Sequence, residues 1–406
     1  MRRFLFLQGP HGPLFDRLGD ALRSGGHDVH RINLCGGDRY DWTGAALDYR
    51  GSARKWPEFF GTYIARHAIS DVLLYGDCRP LHSAAHTVAK GGQVSIWVFE
   101  EGYIRPDWIT LERDGVNGYS QLGSDPDEYV DAARSLPPFP HYPAMASNLN
   151  LRLHRSAYHI FQLYLNSWRF PFYRSHRPMP GWLEAAGWAW RLLGRKRAQA
   201  RARSAMQELA DQSYFLFPLQ LNSDYQIRLH SPFADVSQAI ETVLASFASK
   251  ADAADLLVLK QHPLDNCLIP WRRVIDRAAR QHGIVDRVVY LERGDIAKLV
   301  KRARGVVVVN STTGTLALGS GVPTIALGQA VYDMPQITHQ GELDGFWNQP
   351  VAPDPVVWDA FRRVLRYRCL IRGSMLDDAG LNELVAGAVD RLTAEAIPHV
   401  APYEAS

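Results

Sequence analysis

"VVVVNSTTGTLAL", residues 306–318, sets four β-branched valines before a polar cluster that ends in Gly314, followed by small and apolar residues. A short apolar run of this kind, bounded by turn residues, reads as a buried parallel strand that turns and enters a helix. Such a junction aims free backbone N–H groups at one point, and the helix dipole adds roughly half a positive charge there. Asn310, Ser311, Thr312, Thr313 and Gly314 therefore form a candidate anion cradle, with hydroxyl donors on three of them. A nucleotide phosphate is the natural occupant. The loop is not of the Walker type, because no GxxxxGK[ST] pattern is present. The same residues would also serve as the polar cap of a buried helix.

Outward from this junction, strand and helix signals alternate. "SYFLFPLQ", "DLLVLKQHP", "RVVYLE" and "VPTIALG" read as strands, and "IPWRRVIDRAARQHGI" as a helix. The same alternation opens the chain: "RFLFLQ", a glycine turn, the amphipathic "LFDRLGDALRSGGH", then "DVHRINL", "SDVLLYGD" and "QVSIWVFEEG". Alternating elements of this kind imply parallel sheets with right-handed crossovers. A chain of 406 residues, 46% hydrophobic, is too long for one ordinary core. The expected fold is α/β with two Rossmann-like domains, residues 1–150 and 206–390, and a tail at 391–406.

Residues 151–205 differ from both halves. They hold eleven Lys and Arg (Arg152, Arg155, Arg169, Arg174, Arg177, Arg191, Arg195, Lys196, Arg197, Arg201, Arg203) against one acid, Glu184, and include Trp168, Trp182, Trp188 and Trp190. The whole chain carries only +3, so there is no global case for nucleic acid. Arginine interleaved with aromatic residues fits a helical insert lying on an anionic lipid surface; a solvated insert packing its rings on the core is the plainer alternative. No apolar run approaches a membrane span. Gln8 and Gly9 cut the opening apolar run too short for a signal peptide, so a cytoplasmic protein is expected. Cys35, Cys78, Cys267 and Cys369 show no CxxC or metal-ligand spacing and read as reduced, mostly buried thiols.

Several further stretches carry chemistry-bearing groups. In "VLKQHP", Lys260 and His262 would share a face if the strand continued, and Pro263 ends it where ligands collect in open α/β sheets. In "FPLQLNSDYQIRLHSPF", Gln220, Asn222, Asp224, Gln226 and Arg228 alternate, too polar for a buried strand. Asp224 is a candidate nucleophile or base, and Arg228 its partner or a holder of a substrate carboxylate. A surface loop with a salt bridge would look the same. In "VFEEGYIRPDWITLE", Glu100 and Glu101 end an apolar strand and point to opposite faces, so one faces a cleft while the other pairs, for example with Arg105. With no DxD pair or histidine cluster beside them, no metal is expected. "FLQGPHGP" supplies Gln8 and Gly9 in a close-approach turn that lacks the full GxGxxG.

Taken in order, "FLQGP", "VHRINLC.GD", "VFEEGYIRPDWITLE", "PLQLNSDYQIR.HSPF", "KQHP" and "VNSTTG" resemble the bacterial capsular-polysaccharide β-Kdo glycosyltransferases of the KpsS/LipB type. The resemblance implies a GT-B-like fold whose two domains face a cleft, the first on the acceptor side. It implies CMP-Kdo as donor, no cofactor or metal, and retention through Asp224 as nucleophile, the two-carboxylate logic of retaining glycosidases. His262, Pro263 and the Ser311–Thr313 turn are similar to donor-phosphate motifs, Lys260 and the amides up to Gly314 would support them, and Glu100 or Glu101 would be the acid/base. Arg105 or Arg228 would hold the Kdo carboxylate. The acceptor would be a (lyso)phosphatidylglycerol at the inner face of the cytoplasmic membrane, with other capsule biosynthesis and export proteins as possible partners. Competing expectations are a CDP-glycerol-type phosphotransferase, a transferase of another nonulosonic acid, and a non-catalytic lipid-binding subunit of an export complex.

Overall fold

The computed structural model of the chain describes residues 1–92, 94–145, 148–175, 179–222 and 224–394. Its strands are β1 (Arg3–Phe6), β2 (Asp28–Asn33), β3 (Leu47–Asp48), β4 (Asp71–Tyr75), β5 (Ser95–Glu101), β6 (Trp108–Arg113), β7 (Tyr214–Pro218), β8 (Leu256–Lys260), β9 (Val288–Leu291), β10 (Gly305–Val308), β11 (Thr324–Ala326) and β12 (Leu370–Arg372). They form two sheets in two units, Met1–Gln121 with Leu136–His176 and Arg363–Ser406, and Leu122–Ser135 with Arg177–Arg362.

The first unit has the order β12-β6-β5-β4-β1-β2-β3. Strands β1 to β5 are parallel, and β6 and β12 add antiparallel edges. The apolar runs are apolar because both faces are covered. Phe4, Phe6, Leu73, Trp97 and Phe99 pack under the helices Leu14–Ser24 and Asp378–Thr393, while Leu5, Leu7, Val72, Ile96 and Val98 meet Trp56, Phe60, Ala85 and Ala89 on the other side. The second unit, in the order β11-β10-β7-β8-β9, is wholly parallel. Phe215, Phe217, Leu257, Leu259 and Val307 are covered on one face by Ile240, Phe247, Trp271 and Trp347. The α/β class and the two doubly wound units are those expected.

The expected boundaries differ from the observed ones. Residues 363–394 return to the first unit, because Leu381, Leu384, Ala388 and Leu392 bury beside β1 and β5 and β12 pairs the open edge of β6. Most of the expected tail, residues 395–406, and Arg177 lie outside the described residues. The segment 151–205 is not one insert. Its helix Leu149–Leu165 belongs to the first unit, and the helices Gly181–Leu193 and Arg195–Glu208 to the second. No helix among the described residues is long and apolar enough to cross a membrane.

Candidate active site

In an open parallel sheet the ligand crevice lies outside the strand C-termini, where the winding reverses. In the second unit that point falls between β7 and β10. The residues just past these strands, Gln220 and Asn310, close it with two hydrogen bonds: the Gln220 amide donates to Asn310 Oδ1 (2.9 Å), and the Asn310 N–H donates to Gln220 Oε1 (3.2 Å). Asn310 Nδ2 also donates to the carbonyls of Gln226 (2.8 Å) and His230 (3.2 Å). One asparagine thus ties the 220–230 stretch to the valine strand.

That stretch is not extended. It forms the short helix Tyr225–Leu229, with Asp224 as its N-cap accepting from the Gln226 N–H at 2.9 Å. The alternation of Gln220, Asn222, Asp224, Gln226 and Arg228 therefore marks a turn and a helix start, not a shared strand face. Arg228 stands exposed and makes no ion pair with Asp224 among the described residues.

The Ser311–Gly314 junction is partly self-satisfied. The Thr313 N–H donates to Ser311 Oγ (3.2 Å) and the Gly314 N–H to the Ser311 carbonyl (2.9 Å). With the Asn310 N–H already used, only the Ser311 and Thr312 amides meet no acceptor among the described residues. The expected cradle of bare amides shrinks to those two plus hydroxyls. Gly314 is required by packing: a Cβ there would lie 2.3 Å from the Tyr332 hydroxyl, which donates to the Ser311 carbonyl at 2.6 Å. A cleft of about 490 Å³ opens beside the ends of β10 and β11, lined by His230, Ser231, Gly328 and Gln329 among others.

Strand β8 ends at Lys260, so Lys260 and His262 do not share a strand face as expected. Lys260 is buried, its ammonium donates to the Gln261 carbonyl (2.7 Å), and burial first, then Arg191 and Arg293, push its pKa down to about 8. His262 is half-buried in the following loop, with Nδ1 accepting from the Leu264 N–H at 3.0 Å, which puts the proton of the neutral ring on Nε2. Pro263 is exposed. Arg191, counted above as a lipid-facing cation, turns inward and donates to the Asp265 carbonyl. Its helix reaches that loop because Gly187 has no side chain; a Cβ there would meet the Asn266 carbonyl at 2.5 Å.

In the first unit the winding reverses between β1 and β4. Gln8, buried past β1, accepts from Arg79 Nη1 (2.9 Å) and donates to Asp38 Oδ1 (3.2 Å) and Cys35 Sγ (3.3 Å). Gly9 serves packing, since a Cβ would stand 2.7 Å from the Phe15 ring. The two adjacent acids separate clearly. Glu101 is paired with Arg152 at 2.8 Å, not with Arg105, which is exposed. Glu100 accepts from the Glu101 N–H at 3.0 Å, and burial, with the charge of Glu101 adding, pushes its pKa up to about 7, against a smaller opposing pull from Arg79. A carboxyl balanced near neutrality suits proton transfer.

Sequence reasoning missed Arg79, and a buried group formed by Cys35, Asp38, Asp41 and His159. The signal was the paired glycine of "LCGGD" directly after a strand, where close backbone approach is to be expected.

Two doubly wound units with polar groups gathered at each switch point define an α/β protein that offers ligand sites at its strand ends. Residues 70–375 match the family model described as "Capsule polysaccharide biosynthesis protein", and the chain belongs to that family. It is 36% identical to the capsule polysaccharide export protein KpsS of Escherichia coli, over 90% of this chain and 94% of that one. It is 33% identical to the capsule polysaccharide modification protein LipB of Neisseria meningitidis serogroup B, over 88% of each. A solved chain of Thermosulfurimonas dismutans KpsC, described as a β-Kdo 2,7-transferase, matches over 95% of this chain and 99% of its own length with a TM-score of 0.49 and 14% identity.

Proposed function

We propose that the protein is a CMP-Kdo-dependent retaining glycosyltransferase that places a β-Kdo residue on a (lyso)phosphatidylglycerol acceptor, starting the poly-Kdo linker of a capsular polysaccharide. The observation that carries this is the Gln220–Asn310 tie at the β7/β10 switch point, which holds the Asp224 cap and the hydroxyl turn of residues 311–313 on adjoining strand ends. In this scheme the Asp224 carboxylate attacks the anomeric carbon as its bond to the cytidylate oxygen breaks. CMP departs with the charge met by Lys260, the Nε2–H of His262 and the Ser311 and Thr312 amides. Fixed donors of this sort are typically worth about 3 kcal/mol of barrier each. The acceptor hydroxyl then displaces Asp224 as a general base takes its proton, a role for which Glu100, held near neutrality, is the suited carboxyl. Family membership supports the capsule setting.

For the acceptor side, the helix Leu149–Leu165 and the turn after it expose Phe161, Tyr164, Leu165, Trp168 and Phe172; in the other unit the helix Gly181–Leu193 exposes Trp182, Trp190, Leu192 and Leu193. Exposed cations follow at Arg174, Arg195, Lys196, Arg197 and Arg203. Rings at headgroup depth with cations beside them fit peripheral binding to an anionic leaflet, at roughly 1 kcal/mol per cation near the surface.

The deciding experiment incubates the full chain with CMP-Kdo and a short-chain phosphatidylglycerol and weighs the lipid product. A gain of one Kdo residue, absent with CDP-glycerol, is expected. No gain across several anionic acceptors overturns the proposal, and capsule production that survives Asp224→Asn would favour a non-catalytic lipid-binding subunit.

A further inference from the structure

The exit of β2 reads Leu34-Cys35-Gly36-Gly37-Asp38 and is closed by the helix Leu149–Leu165. A Cβ at Gly36 would lie 2.4 Å from the Gln162 carbonyl oxygen, and one at Gly37 would lie 2.3 Å from the His159 ring. Two positions without side chains are what let an imidazole reach the turn. Cys35 Sγ, an Asp38 carboxylate oxygen and a His159 ring nitrogen lie within 4.8 Å of one another, and all three residues are buried. His159 Nδ1 is held by Asp41 Oδ2 at 2.6 Å. With the proton on that nitrogen, the lone pair sits on Nε2, which has no hydrogen-bond partner among the described residues.

We infer that Cys35, Asp38 and His159 bind one divalent transition ion of the zinc class. Thiolate, imidazole and carboxylate are the zinc donor set, whereas Mg²⁺ and Ca²⁺ call for oxygen ligands throughout. Zinc–ligand bonds of about 2.0–2.3 Å place tetrahedral ligand atoms roughly 3.3–3.8 Å apart, so the cluster closes on the ion by about an ångström. Three protein ligands leave one coordination position for water.

The surrounding groups match a metal site. Asp41 on His159 Nδ1 is the carboxylate–histidine arrangement that fixes a ligand tautomer. The Gln8 amide, oriented by Arg79 at its Oε1, donates toward both Cys35 and Asp38 and so holds the two side chains in place beside one another. Arg31, 3.7 Å from Asp38, together with the ion offsets the charges of Asp38, Asp41 and the Cys35 thiolate. As the sulfur–metal bond forms, the Cys35 proton leaves to solvent. The competing occupant is a proton: a His159 imidazolium set between Asp41 and Asp38.

The test uses the full chain, stripped with a chelator and titrated with Zn²⁺ or Co²⁺. One equivalent of Zn²⁺ is expected to survive desalting, and the Co²⁺ form to show a thiolate-to-metal charge-transfer band. Cys35→Ser should abolish the band and weaken Zn²⁺ binding by tenfold or more. Asp41→Asn, which touches no metal directly, should weaken it about tenfold. Absence of stoichiometric binding by the folded wild-type chain overturns the inference, as does binding without the thiolate band or binding unchanged in Cys35→Ser. Should the variants fail to fold, alkylation of the wild-type chain decides: Zn²⁺ must protect Cys35, identified by peptide mass, and an equal alkylation rate with and without Zn²⁺ overturns the inference.

Discussion

The two switch points share one winding and differ in what ties them. Between β7 and β10 the tie is neutral, an amide pair between Gln220 and Asn310, with cationic and hydroxyl groups around it. Between β1 and β4 the tie is charged: Arg79 holds Gln8, Gln8 holds Asp38, and Glu100 lies on the next strand with its pKa near 7. An amide pair joins two loops without adding net charge, so the field at the C-terminal unit is left to Lys260 and the turn donors and favours an anion. The N-terminal unit instead concentrates ionisable groups in low dielectric, where a carboxyl is held near neutrality.

The largest expected effect breaks the comparison at Asp224. Asp224→Asn should lower transfer by a factor of about 10⁴ while changing stability by only a few tenths of a kcal/mol, because asparagine caps a helix as well as aspartate does; a Tm measured beside product mass checks both parts. If activity persists, the C-terminal unit binds the donor without attacking it.

Glu100→Gln comes next, with transfer expected to fall about 10²–10³-fold. Its stability effect has the opposite sign. The folded pKa of about 7 lies above the ordinary 4.5, so between those values the folded chain keeps a proton that the unfolded chain has lost. Wild-type stability therefore falls as pH rises through that window, by up to about 3 kcal/mol, and the amide does not suffer this loss. Urea melts at pH 5 and pH 8 should show the variant gaining on wild type only at the higher pH.

Lys260→Met should weaken CMP binding roughly 100-fold, consistent with one lost charged donor. With its pKa near 8, wild-type affinity for CMP should also drop as pH passes from 7 to 9, and the variant should show a flatter profile; calorimetric titration at both pH values reads this out. The smallest effect sharpens the neutral tie itself. Asn310→Ala takes the acceptor from the Gln220 amide nitrogen and one donor each from the Gln226 and His230 carbonyls, which keep a backbone N–H apiece, at an expected cost of about 1–3 kcal/mol in chemical denaturation.

Much of this was readable in the chain. Apolar runs such as "RFLF" and "VVVV" specify strands covered on both faces, and polar residues directly after them mark the edge where ligands sit. The short helix in the 220–230 stretch was not read from the sequence, because a capping aspartate is locally indistinguishable from any other polar residue of an alternating stretch. The basic segment was misread as one body because charge composition carries no information on which neighbour each helix packs against. Gly187 and Arg191 serve the β8 loop, while Arg152 serves Glu101.

Local sequence determined the α/β class, the position of the polar turns and the identity of the acids, since each depends on residues within a few positions of one another. Tertiary structure alone decided that residues 363–394 rejoin the first unit, that Glu100 is held near neutrality while Glu101 pairs with Arg152, and that Cys35 and Asp38 meet a histidine more than a hundred residues away. The physical reason is common to all three: burial and charge at a site are set by which surfaces pack together, and packing partners distant along the chain leave no periodicity to read.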